Sequence, residues 1–112
     1  MALFPCNIGS SGGTITGITQ VAGTYQDNTT SLSTSASCQK GKSYIVLGWN
    51  GYFSYSASVS HNGGTKLDTV STQNVDCMAM NVYTCNTDAT ITFTLTSSAP
   101  GYRHYLYVYE VS

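Results

Sequence analysis

The side chains able to carry acid–base, nucleophilic or metal chemistry are few and scattered. Five carboxylates stand at Asp27, Asp68, Asp76, Asp88 and Glu110, and the two imidazoles are His61 and His104. Asp68 and Asp76 flank one predicted loop, so they could approach each other as the paired carboxylates of glycoside hydrolysis must. No surrounding pattern supports that pairing, and solvated turn acids fit both residues better. No Ser–His–Asp or Cys–His order carries a local signature, and metal spacings such as HxxxH or DxDxDG are absent. The cysteines, Cys6, Cys38, Cys77 and Cys85, are too far apart for a zinc ribbon or a CxxC redox site. Buried free thiols acting as small hydrophobes fit them better than Cys77–Cys85 or Cys6–Cys38 bridges, if the chain folds in a reducing cytoplasm. The expectation is a non-enzymatic protein with no catalytic residue, no metal and no cofactor.

Recognition chemistry is better represented. In the closing stretch, Arg103, Tyr105, Tyr107, Tyr109 and Val111 share one strand face, and His104, Leu106, Val108 and Glu110 share the other. The Leu106/Val108 side suits a core, which leaves a tyrosine ladder ending in an arginine. Tyr and Arg are enriched at interface hot spots, and an aromatic strip also suits the apolar face of a sugar ring. Trp49 and Tyr52 adjoin a predicted turn, where large rings either cap the core or face a ligand. The candidate ligand- or interface-binding residues are therefore Trp49, Tyr52, Arg103, Tyr105, Tyr107 and Tyr109. Cover by the chain's own elements, by a second subunit or by a ligand would each account for the ladder. Three tyrosines on one strand face would expose more apolar surface than soluble monomers usually show. Met78, Met80 and Val82 offer a second patch, and a ring-like contact joins two different surfaces. A homo-oligomer is expected, with a trimer favoured.

The elements that must position these residues read as short strands. From Ser43 to Ser60, Tyr44–Trp49 is apolar on both sides, and Phe53, Tyr55, Ala57 and Val59 then alternate with serines. Asn50-Gly51 between the two halves signals a hairpin. A three-residue loop, Trp49-Asn50-Gly51, would pair Leu47 with Phe53 and Ile45 with Tyr55. Earlier, Thr14–Val21 reads as a strand with a bulge at Gly17, and Thr30–Ser37 alternates Leu32, Thr34 and Ala36 against serines. Later, His61-Asn62-Gly63-Gly64 reads as a second hairpin turn. Thr65–Val70 reads as a short strand and Val75–Thr84 as a longer one. In Ala89–Ser97, Ile91, Phe93 and Leu95 point inward against outward threonines, and Tyr102–Val111 closes the chain. About eight strands with turn signals at near-regular spacing and no helical period predict an all-β fold. The expected architecture is an antiparallel β-sandwich, jelly-roll-like, with an immunoglobulin-like strand order as the alternative. Residues 1–13, ending in Gly9-Ser-Ser-Gly-Gly13, read as a flexible leader, and 14–112 as a single domain.

Composition narrows the partners. Charged residues are only 8%, net charge is −1, and Ser and Thr supply 31 of the 112 residues. Nothing there offers an electrostatic footprint for nucleic acid or an anionic membrane, and no apolar run is long enough for a membrane helix. A polar but uncharged surface suits secreted, cell-surface or virion β-proteins. The start, Met1-Ala-Leu-Phe-Pro-Cys-Asn7, lacks the basic and apolar regions of a signal peptide. The expected location is a virion, made in a host cytoplasm and released by lysis, with an extracellular site as the alternative.

The laid-out strands resemble small β-sandwich proteins of phage and prophage virions, such as tail-fibre heads, baseplate and receptor-binding tips, and head fibres. The likeness rests on the Gly9–Gly13 leader, the strand Gly41-Lys-Ser-Tyr-Ile-Val-Leu-Gly48, the turn Asn62-Gly-Gly-Thr65 and the closing Tyr105-Leu-Tyr-Val-Tyr-Glu-Val111. The resemblance implies a structural or receptor-binding particle component. It also implies symmetric assemblies, other virion proteins as partners and host-surface glycans as frequent targets. A carbohydrate-binding module of a secreted bacterial protein is the alternative.

Overall fold

The computed structural model describes residues 16–27, 29–52, 55–98 and 101–112. The expected leader over 1–13, Cys6 and Phe53 lie outside them. Eight strands follow in order: β1 (Ile18–Gln26), β2 (Ser31–Cys38), β3 (Ser43–Asn50), β4 (Ala57–His61), β5 (Leu67–Val75), β6 (Met78–Cys85), β7 (Ala89–Ser97) and β8 (His104–Val111). They form two antiparallel sheets, β1-β8-β3-β6-β5 and β2-β7-β4. The pairs β1/β8, β2/β7 and β3/β6 are nested in chain order, as in a ribbon of strand pairs rolled into a sandwich. This is the jelly-roll-like wrap, and the immunoglobulin-like order is not adopted.

Alternation places the core. Leu32, Ala36 and Cys38 on β2 and Ile91, Phe93 and Leu95 on β7 point inward, against Tyr44, Val46, Tyr83, Leu106 and Val108 of the larger sheet. On the outer side of the smaller sheet, the Ser33 and Thr94 hydroxyls meet at 2.8 Å, as do those of Ser35 and Thr92. Such cross-strand hydroxyl pairs hold a solvated face together. β3 is the central strand of the five, which explains why Tyr44–Trp49 is apolar on both sides. At its start, Glu110 accepts from Tyr44 Oη at 2.9 Å and from Lys42 Nζ at 3.0 Å.

The hairpin expected across Asn50-Gly51 does not form. β3 lies between β6 and β8, and Leu47 pairs with Met80 and Tyr107 while Ile45 pairs with Val82 and Tyr109. Both edges of β3 are thus filled, and the chain crosses to β4 in the opposite sheet. Asn50 steers the crossing: its Oδ1 accepts from Tyr52 N at 2.7 Å, and its Nδ2 donates to Ser97 Oγ at 3.0 Å. An Asn side chain that mimics a backbone turn serves a crossover as well as a hairpin. His61–Gly64 is likewise no hairpin turn, because β4 and β5 belong to different sheets, joined through a short 3-10 turn at Gly64–Lys66. The bulge of β1 falls between Gln20 and Ala22, not at Gly17.

The span read as Thr65–Val70 and Val75–Thr84 is instead one hairpin, β5–β6, with Val75 opposite Met78. Asp76 opens its two-residue turn in left-handed backbone, φ 42, a conformation Asp tolerates better than most residues. Asp68 and Asp76 therefore lie near opposite ends of β5, roughly 26 Å apart at strand rise, and no carboxylate pair exists between them.

Cys38, Cys77 and Cys85 are free thiols, with Cys38 and Cys85 buried. Burial, then the neighbouring Cys85 and Glu110, pushes the Cys38 thiol up to about 12. The reactive thiolate is therefore scarce there at neutral pH. Iodoacetamide on the native protein should modify Cys77, with Cys38 and Cys85 labelled only after unfolding. Peptide mass spectrometry reads this, and native labelling of Cys38 would contradict the packing.

Candidate functional site

The two sheets present opposite kinds of outer face. The smaller sheet is hydroxylated, whereas the larger carries rows of apolar side chains set by register. One row runs Tyr25, Tyr105, Trp49, Met78, Val75 across β1, β8, β3, β6 and β5, and the next runs Gly23, Tyr107, Leu47, Met80, Gln73. A third holds Gln20, Tyr109, Ile45, Val82 and Ser71. The tyrosine ladder and the Met78/Met80/Val82 patch, expected as two surfaces, are therefore two halves of one face with β3 between them.

The first row is continuous. Trp49 stacks on Tyr105 with centroids 4.7 Å apart and planes 13° off parallel, and it leans on Tyr107 at 5.5 Å. Tyr25 meets Tyr105 at 6.2 Å, and the Arg103 guanidinium sits 4.8 Å over the Tyr25 ring. Arg103 also grips Asp27 through both carboxylate oxygens, at 2.7 and 3.1 Å. That hydrogen bonding, and then the guanidinium charge, holds the Asp27 carboxyl below its usual range. The pair is exposed and orients the arginine more than it stabilises the fold. Trp49 thus stands inside a strand on this face and not at a turn. Gly23 lies under the Tyr107 ring, where any Cβ would overlap it. An aromatic ring covering a cross-strand glycine is a recurrent device at sheet edges.

Cover within the chain is uneven. Ile45, Val82 and Val111 are buried with Tyr109 and Met80 packed on them, so Tyr109 closes a small second core. The opposite end of the face is open: Tyr25 is 58% exposed, Val75 61% and Met78 40%. Of the six predicted residues, Tyr109 is the one packed against a buried cluster. Tyr105, Tyr107, Trp49 and Arg103 come together.

Tyr52 belongs elsewhere. It stacks on Tyr102 at 5.0 Å and meets Tyr55 at 5.4 Å, forming a trio of half-exposed rings at the sandwich end. Sequence reasoning missed Tyr55 and Tyr102 because it assigned both to strands. The usable signal for Tyr102 was the glycine directly before it, as at Gly51-Tyr52; Tyr55 carried no such mark.

Among the described residues no three His, Cys, Asp or Glu side chains gather to hold a metal, and no helix is long and apolar enough to cross a membrane. No family model matches the chain, and no curated protein matches it. Among solved structures, the chain shares its fold, at a TM-score of 0.53 and 12% identity over 99% of its own length and 76% of the other chain, with the tripod (BppUct-A-L) from the baseplate of bacteriophage Tuc2009.

Proposed function

We propose that this chain is a non-enzymatic structural or receptor-binding component of a phage or phage-like particle, assembled as a homotrimer. The observation that carries the reading is the open end of the outer apolar face of the five-stranded sheet, where Tyr25, Met78 and Val75 are exposed, set against the hydroxyl ladder on the other sheet. A soluble domain seldom leaves tyrosine, methionine and valine exposed along one row, and the Arg103–Asp27 ion pair stands at its Tyr25 corner. The halves of the face differ in chemistry: tyrosines and tryptophan on β8 and β3, methionine and valine on β6 and β5. A ring in which the tyrosine half of one copy packs on the methionine half of the next joins unlike surfaces, as cyclic assemblies require. The fold shared with a phage baseplate tripod supports the particle setting. In that setting the partners are other virion proteins and, for the receptor-binding role, a host-surface glycan. The tyrosine trio at the sandwich end also suits a second reading, a carbohydrate-binding module of a secreted bacterial protein. Finding the gene among phage morphogenesis genes would favour the first reading, and a parent chain with a catalytic domain the second.

Light scattering at micromolar concentration should give three times the chain mass. Met78→Lys sets an unpaired charge on the open end of the face without touching the core, and should dissociate the assembly. Tyr107→Ser should weaken it by about 2 kcal/mol if Tyr107 is a hot spot. A monomeric mass for the parent protein would overturn the assembly. An assembly indifferent to both substitutions would place the interface elsewhere.

A further inference from the structure

A cleft opens where the edges of the two sheets part, between the start of β4 and the β5–β6 turn. It measures about 460 Å³ and is lined by Tyr55, Ser56, Ala57, Ser58, Asn74 and Asp76. That size is in the range of small-molecule sites. We infer that this cleft binds an uncharged saccharide, with the Tyr55 ring as platform and Asn74 and Asp76 as the hydroxyl-reading pair. The inference rests on the receptor-binding half of the reading above and assigns the ligand to a cleft that adjoins the subunit face at the β5–β6 turn.

The chemistry of the lining selects the ligand. Within the described residues, the Asn74 carboxamide, the Asp76 carboxylate and the Ser58 hydroxyl make no hydrogen bond with the protein. A carboxylate that only accepts, beside a carboxamide that both accepts and donates, suits neighbouring sugar hydroxyls. Among the described residues the lining holds no cation, so phosphates and acidic sugars find no counter-charge there and meet Asp76 as a like charge. The exposed ring supplies the apolar surface that the C–H face of a pyranose needs.

The site is also pre-formed. Tyr55 is held by Tyr52 at 5.4 Å and Tyr102 at 6.3 Å, and its N–H donates to Tyr52 O at 3.2 Å. Ser56 is tied down by Ser98, whose Oγ accepts from Ser56 N at 3.0 Å. The left-handed backbone at Asp76 fixes the opposite wall. The Tyr55 platform therefore loses little freedom on binding, and the Asn74 and Asp76 side chains are the ones that must order.

The test is an amide-detected NMR titration of the full chain with N-acetylglucosamine, galactose, glucose, rhamnose, lactose and chitobiose, each to high millimolar concentration. Saturable shifts from at least one sugar, confined to residues 55–58 and 74–77, are expected. Tyr55→Ala should weaken that binding about tenfold or more. Asp76→Asn should do the same while keeping the turn, because Asn also accepts left-handed backbone. The Phe93 amide, in the core, reports whether either variant stays folded. Absence of a saturable shift with all six sugars would overturn the inference. So would shifts centred on Trp49 and Tyr105, or shifts unaffected by Tyr55→Ala. Light scattering separates the two readings: an oligomer without sugar shifts refutes the cleft alone, and a monomer with them refutes the assembly alone.

Discussion

Replacing Phe93 by alanine should lower the stability of the domain by about 3–5 kcal/mol. Phe93 is fully buried at the middle of β7, the central strand of the smaller sheet. Its ring stacks on Tyr83 of the opposite sheet at 5.9 Å and meets His61 at 6.4 Å, so it bridges the two layers. Truncation removes that apolar area from the core and leaves a cavity, which the β-ladders on both sides of β7 cannot collapse to fill. Because domains of this kind are stable by only about 5–15 kcal/mol in total, the variant should sit near the edge of folding. Urea denaturation checks it: the midpoint should fall steeply with the slope retained. A midpoint matching the parent would mean that β7 does not face the core.

The second large effect is of the opposite kind. Gly48 lies on the inner side of β3, where an added Cβ would come within 2.8 Å of Leu95 Cδ1 and 3.1 Å of Val59 Cγ2. The two sheets approach closely there, and the missing side chain makes room for residues of β7 and β4. Gly48→Val adds three carbons where one is already too many, so it should destabilise by at least about 1–3 kcal/mol, the usual range for overpacking. Restoring space from the other side, with Leu95→Ala in the same chain, should recover part of the loss, whereas independent effects would add. The same denaturation measurement reads both. A neutral Gly48→Val would show that the sheets are not in contact at this point.

These two positions also show what could be read before the structure. Phe93 was legible because β7 alternates cleanly, with one apolar set and one threonine set, so its core face follows from the pleat. β2 and β8 were legible for the same reason, and so were the outward tyrosines. Gly48 was not, because a glycine within a strand signals close approach without saying to what. The fate of β3 was hidden similarly. Its two apolar sides foretold a central place, but its partners, β6 and β8, lie far off in the chain, and Asn50-Gly51 offered a nearer and wrong one. The β5–β6 turn was missed because Asp76-Cys77 lacks the glycine that marks most two-residue loops. The end cleft needs the β3–β4 crossing and the β5–β6 hairpin to meet, which no local pattern encodes.

The nested pairing of strands has a consequence for how the domain comes to be folded. β5–β6 is the only sheet-internal hairpin among the described strands; the other connections pass between layers. β8, last in chain order, lies between β1 and β3, and Ile18 pairs with Val111. Closing the pairs in any order but from the inside outward would enclose a large loop each time. Once β3 has met β6, the span that β2 and β7 must close is shortened, and theirs in turn shortens that of β1 and β8. Assembly on this plan proceeds as a zipper from the β5–β6 hairpin toward the two ends. It belongs to the slow, millisecond-to-second regime of folds dominated by distant contacts. Until β8 arrives, β3 has one edge bare, so a nascent or truncated chain presents its most apolar strand as a template for its neighbours.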